Sequence, residues 1–357
     1  MGSAVMRGRR WSACAAAAIA VLAMVVLPGC AVGYLAQSVA GHVDVISKAR
    51  PVDAWLADPS TSQPLRQRLE LAKRLRTFAV QELRLPDHAS FRQYAPLGRP
   101  AVVWNVVAAP ELSLELKTWC FPVVGCVAYR GYFDRQAALD YAQSLRLQGW
   151  EVHVADVPAY STLGKTDWLG GDPLLDTFLF WDEASLARLM FHEMAHPVVF
   201  VPGDTAFNES FATAVERLGV RRWWQFNGRE GSPPSDSRRV QQQRALRDLR
   251  DLLREVYGRP IGEDDRRQAK ARVLAEFRSR HPDIAPSQLN NAALALQSSY
   301  DDGVSAFLSL FDASGRDFEK FYEAARRWAQ LSDERRREML RRSAEPLTPT
   351  VSGEPLP

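Results

Sequence analysis

The chain has little excess charge of either sign. Its formal net charge is +3, and Arg7, Arg9 and Arg10 are the only charged side chains before Cys30. From Cys30 onward the chain is therefore near neutral. This argues against nucleic acid as a partner, because phosphate binding needs a basic surface. The basic run RRREMLRR (335–342) lies at helical spacing beside acids and reads as a solvated face. Cysteine is scarce, with four residues in 357, and no CxxC pair suggests a zinc knuckle. No internal repeat is evident. The apolar run from Trp11 to Leu27 is short for a membrane-spanning helix. What remains is ordinary for a globular protein of one large domain or two, with 46% apolar and 24% charged residues.

The N-terminus reads as an export signal over residues 1–29. Arg7 to Arg10 supply a basic region, Trp11 to Leu27 an apolar one, and LPGC (27–30) ends it. Those last four residues resemble the bacterial lipoprotein box, in which the cysteine thiol takes a diacylglycerol. The resemblance implies lipidation at Cys30 and attachment to a membrane through its acyl chains. Residue 31 is Ala, which by resemblance to Gram-negative sorting implies the outer membrane, facing the periplasm. An uncleaved N-terminal anchor is the other reading. Cys14 lies within the signal. Cys120 and Cys126 flank FPVVG, where Pro122 and Gly125 can turn the chain. In an exported protein they read as a disulfide, or else as two unpaired thiols packed in a β region.

Apolar spacing predicts helices over 34–49 and 65–83, joined by the polar turn DPSTSQP. From residue 101 the pattern changes. AVVWNVVAA, LSLELKTW and VGCVAYRGYF are rich in β-branched and aromatic residues and read as strands, as does EVHVADV (151–157). Asp134 can cap a helix that runs to Leu147 and ends at Gly149, with Ala138, Tyr141, Ala142 and Leu145 facing inward. Residues 101–181 are thus expected to form a small, mostly antiparallel sheet carrying one helix. Beyond Asp182 the pattern is helical, broken by the linker GREGSPPSDS (228–237). Leu246, Leu249, Leu253 and Val256 make one apolar stripe that Gly258 ends, and further helices fit 263–279, 287–299, 301–312, 315–330 and 332–343. The fold class read from this is α+β, mostly α. Residues 30–227 hold the N-terminal helices, the sheet and a metal-binding pair of helices. A helical subdomain follows over 238–343, and a proline-rich tail over 344–357 has the composition of a disordered segment.

The chemistry concentrates in FHEMAHPVVFVPGDTAFNESFATAV (191–215). His192 and His196 are four apart, so on a helix they lie about 40° apart around the axis and one turn along it. Both imidazoles can reach one ion. Glu193 projects beside them, where it can touch a water without ligating the metal. Two ligands and a general base on one turn is the HExxH logic of zinc peptidases. A third ligand decides whether such a site is complete. A helix continuing to Val201 would climb about 7 Å past His196, and the next helix would return about 6 Å from Thr205 to Glu209. PGD (202–204) turns the chain, and Asp204 or Thr205 caps the second helix. Glu209 then arrives level with the histidines, giving His₂Glu with one open position. Pro197 directly follows His196 and should kink the first helix. Glu216, two turns after Glu209, can either orient a ligand histidine or pair on the surface. His42, His88, His153 and His281 lack ligand spacing. Trp223, Trp224, Phe307, Phe311, Phe318 and Phe321 read as core.

These residues also carry a family resemblance. FNESFA (207–212) is similar to the NExxA segment of gluzincin peptidases. VPAYSTLG (157–164), DPLLDTF (172–178), FHEMAH and PGDTAFNESFA together resemble a bacterial family of putative aminopeptidases, over about Tyr34 to Leu340. The connection from His196 to Glu209 is shorter than in the larger gluzincins. The resemblance implies a zincin-like fold and a zinc-dependent peptidase. His192, His196 and Glu209 would hold Zn2+, and Glu193 would serve as general base. It also points to Tyr300, in NNAALALQSSY (290–300), as an oxyanion donor. Substrate backbone is expected to pair as an added strand beside AYSTLG, at Tyr160, Ser161 and Thr162. No GAMEN-type motif supplies the acids that hold a free α-amine, so the aminopeptidase label rests on the family's name. An endopeptidase of envelope proteins, and a non-catalytic lipoprotein binding an envelope partner, are the alternatives.

Overall fold

The structure is a computed structural model. It describes residues 29–121, 125–159, 171–231, 233–284, 289–298 and 303–342. The signal segment up to Pro28, Tyr160, Ser161, Thr162, Tyr300 and the tail lie outside the described residues. No described helix is long and apolar enough to cross a membrane.

Helix α1 (Gly29–Ser47) is followed by β1 (Arg50–Pro51), the short α2 (Val52–Ala57) and α3 (Gln63–Gln81). Of the expected turn, residues 58–62 lie between α2 and α3, while Gln63 and Pro64 already open α3, where a first-turn proline costs little because that N–H has no helical partner. Next come β2 (Gln93–Ala95), β3 (Val103–Ala109), β4 (Trp119–Phe121), β5 (Gly125–Val127) and β6 (Arg130–Tyr132). Helix α4 (Arg135–Leu147) then leads to β7 (Glu151–Val157). β3 runs antiparallel between β6 and β7. Its even-numbered residues Trp104, Val106 and Ala108 pack with Ala138, Ala142 and Leu145 of α4, whose N-terminus Asp134 caps by accepting from the Ala137 N–H. A strand enclosed in this way reads as a near-continuous apolar run.

The LSLELKTW segment departs from expectation. Only Trp119 onward is strand, and 113–118 carries no regular structure. β6 pairs with β3 only over Trp104–Val106, and beyond that point this stretch makes no regular ladder with β3. It is held instead by single bonds such as Lys117 N–H to the Ala108 carbonyl, 2.8 Å. β4 and β5 form a separate hairpin in which Cys120 and Cys126 are directly opposed and disulfide-bonded.

A second small sheet has the order β1-β2-β8, with β8 at Leu174–Leu175 and parallel to β2. It leads into α5 (Asp176–Leu179), α6 (Glu183–Ala195) and α7 (Thr205–Phe226). Asp176 fixes this junction by accepting from the N–H groups of Leu97 (2.9 Å) and Gly98 (2.8 Å). Helix α8 (Pro234–Gly258) starts earlier than expected, since Pro234 belongs to its first turn. α9 (Glu263–Arg280), α10 (Asn291–Ser298), α11 (Val304–Ala313), α12 (Phe318–Ala329) and α13 (Asp333–Arg342) complete the described chain. The protein is therefore α+β and mostly helical, with small sheets.

Residues 238–343, expected as one helical unit, contribute to two cores. Leu246, Leu249 and Leu253 of α8 pack with Leu274, Phe277 and Leu294 of α9 and α10. Phe307, Phe311 and Phe321 of α11 and α12 instead join the main core, with Phe207 and Phe211 of α7 and Phe191 of α6. Phe211 stacks on Phe321 with ring centroids 5.7 Å apart. The α6–α7 pair is thus braced from both ends of the chain.

Candidate metal centre

Asp182 caps α6 by accepting from the Ser185 N–H at 3.0 Å. The helix buries Leu186, Ala187, Met190, Phe191, Met194 and Ala195. It does not continue to Val201. It ends at Ala195 with His196 as its cap residue. Pro197 explains the difference, because it lacks the N–H that a further turn would require and its ring clashes with the preceding turn. The chain instead makes a compact turn, with Val198 N–H on the Ala195 carbonyl at 2.9 Å. Gly203 sits at φ +82, a left-handed conformation that a side chain would strain. Asn208 locks the connection from inside, accepting from the Val201 N–H and donating to the Val201 carbonyl, both at 2.8 Å. Asp204 caps α7 through the Phe207 N–H (3.1 Å) and accepts from Arg336 Nε of α13 (2.8 Å).

This hairpin of helices brings Glu209 back level with the histidines, although the first helix is shorter than expected. Glu209 Oε2 lies 3.2 Å from His192 Nε2, and Oε1 lies 3.9 Å from His196 Nε2. The imidazole centroids are 4.9 Å apart and nearly perpendicular. One ligand atom from each of His192, His196 and Glu209 lies within 4.8 Å of the others. Close approach of the two helices depends on Gly219, where an added Cβ would meet Phe191 Cδ2 at 2.8 Å and Leu83 Cδ1 at 2.7 Å.

Glu216 is 5% exposed and faces inward. Its Oε2 lies 3.4 Å from His192 Nδ1, while Oε1 accepts from Arg239 Nη1 at 2.6 Å and lies 3.7 Å from Arg188 Nε. Of its two sequence readings, the geometry matches the one that orients a histidine. A hydrogen bond at Nδ1 leaves Nε2 of His192 facing Glu209. Neither arginine was anticipated. Arg188 lies one turn before His192 on α6, and Arg239 lies far along the chain on α8, so no local pattern signalled it.

Electrostatics divides the cluster. Burial opposes a charge on His192, but Glu209 and Glu216 outweigh it and raise its pKa to about 10. Burial, and then the charge of His192, lower His196 to about 4. Burial raises Glu193 to about 7; His192 opposes the rise, while Glu209, Asp172 and Glu216 add to it. Glu216 is held down at about 2 against its burial, by His192 and Arg239. The donor set suits a divalent transition metal, with two imidazoles and a carboxylate. His196 is neutral, as a ligand must be. Its buried Nδ1 has no hydrogen-bond partner among the described residues, so nothing commits the ring to another contact.

Tyr129, between β5 and β6, also belongs to this neighbourhood and was not singled out from the sequence. It is 40% exposed as a residue. Burial of its hydroxyl raises its pKa, and the charges of Glu209 and Glu193 add to that, so the phenol stays protonated. Its distance along the chain from the histidines hid it. Tyr300, and Tyr160, Ser161 and Thr162 where substrate was expected to pair, lie outside the described residues.

A mostly helical α+β protein with a largely enclosed His-His-Glu cluster is the class that fold and site define. A family model described as "Putative aminopeptidase" matches residues 33–340. The chain belongs to that family. No curated protein and no solved structure matches it significantly.

Proposed function

We propose that this protein is a zinc-dependent peptidase of the bacterial envelope, trimming peptides from their N-termini. The observation that carries the reading is the convergence of His192, His196 and Glu209 within 4.8 Å, with Glu193 on the same turn. Family membership supports peptidase chemistry. Two imidazoles and one carboxylate make the donor set of zincin hydrolases, which favours zinc over calcium or magnesium. Zinc bound there would polarise the scissile carbonyl and make water a competent nucleophile near neutral pH.

The chain's own residues do the rest. Glu193, on the same turn as His192, accepts a proton from the attacking water and returns it to the departing amine nitrogen. The phenol of Tyr129 can donate to the developing oxyanion, a role the family resemblance assigns to Tyr300. Glu216 orients His192, and Tyr160, Ser161 and Thr162 would align the substrate backbone by pairing with it. The export signal and Cys30 would place this activity on the outer membrane, facing the periplasm.

The test uses purified protein on two substrate sets. Cleavage of amino-acid arylamides, with N-blocked peptides spared, supports an aminopeptidase. Cleavage of blocked peptides alone makes it an endopeptidase. If zinc-loaded protein cleaves neither, the hydrolase reading is wrong.

A further inference from the structure

Helix α8 takes part in a second core with α9 and α10, away from the metal hairpin. Its N-terminal half nevertheless meets α7 through two polar contacts one turn apart. Arg239 donates to Glu216 Oε1 at 2.6 Å, and Gln243 Oε1 accepts from Arg217 at 3.3 Å. The first contact ends on the carboxylate that faces His192 Nδ1. From this chain of contacts we infer that Arg239 is a positioning residue for the metal centre: by holding Glu216 Oε1, it keeps Oε2 directed at His192. This role rests on the metal centre proposed above.

The argument is one of rotational freedom. A carboxylate held at one oxygen can turn about its last bond, whereas one engaged at both oxygens cannot. Without Arg239, the buried Glu216 would still have Arg188, whose Nε is 3.7 Å from the same oxygen. The carboxylate would then be free to swing toward Arg188 and away from His192. The imidazole would lose the acceptor that fixes its tautomer and ring plane, and metal affinity would fall. The arginine side chain is 39% exposed, so truncating it opens no core cavity. The geometry also links the second core to the active centre. Metal binding should steady the first turns of α8, and loosening those turns should weaken metal binding by the same factor.

The experiment measures cobalt and zinc affinity of the full mature chain by chelator competition, with the cobalt absorption spectrum as a report on ligand geometry. Arg239→Ala is expected to lose about tenfold in affinity and to alter the cobalt spectrum, within the range seen when such outer partners are removed. Arg239→Lys should recover most of the loss. Gln243→Ala, which breaks the neighbouring contact without touching Glu216, should match wild type. An unchanged Arg239→Ala overturns the role of Arg239, as does a Gln243→Ala that falls equally far. Wild-type protein that takes up no metal overturns the metal centre and this role together.

Discussion

Metal uptake should release about one proton per ion at pH 7. In the metal-free protein that proton is assigned to His192, whose Nε2 lies 3.2 Å from Glu209 Oε2. Burial disfavours the imidazolium, but Glu209 and Glu216 outweigh it and raise its pKa to about 10. His196, lowered to about 4, contributes no proton near neutrality. An arriving cation must therefore displace one proton, from His192. Affinity should rise with pH by about tenfold per unit, or about 1.4 kcal/mol, from about pH 5 to about pH 8. Below about pH 4 His196 is also protonated and the dependence steepens. Glu193, near 7 without metal, adds a fractional proton as the cation favours its ionised form. Calorimetric titration in buffers of different ionisation enthalpy counts the protons, and chelator competition across the pH range gives the slope. A heat independent of buffer, with an affinity flat in pH, would refute the reasoning.

Three substitutions test other parts of the account. Glu193→Gln should lower hydrolysis by roughly two to four orders of magnitude while leaving metal content unchanged, measured by turnover and elemental analysis. Tyr129→Phe should lower kcat by about a hundredfold with little change in KM; an unaltered kcat would remove Tyr129 as an oxyanion donor. Gly219→Ala gains about 1 kcal/mol in helix propensity, yet its Cβ would lie 2.8 Å from the Phe191 ring. Overpacking of about 1–3 kcal/mol should win, so thermal unfolding should move down in temperature and metal affinity should fall with it. A stabilised variant would show that the α6–α7 spacing is soft.

Helix periodicity and caps were legible because they are local. Asp134, Asp182 and Asp204 all accept from the N–H three residues on, and the leucine stripe of α8 is buried as its spacing requires. The approach of Glu209 to the histidines also followed from the sequence, though through a different route. Two climbs along straight helices were expected to cancel; instead Pro197 stops the first helix, and a turn locked by Asn208 restores the level. LSLELKTW has strand composition, yet 113–118 forms no regular ladder, and whether a strand finds a partner depends on tertiary context rather than on composition. Arg239 and Tyr129 were invisible for a similar reason. Each reaches the cluster from a distant element, and no spacing along one chain encodes that meeting.

The most direct measurement of the central claim is metal content of the purified mature protein, beside His196→Ala and Glu209→Ala. The account predicts about one zinc per chain in the wild type, lost or greatly weakened in both variants, with the helical circular dichroism of all three preserved. Zinc retained by Glu209→Ala at wild-type affinity, or absent from the wild type, would contradict it.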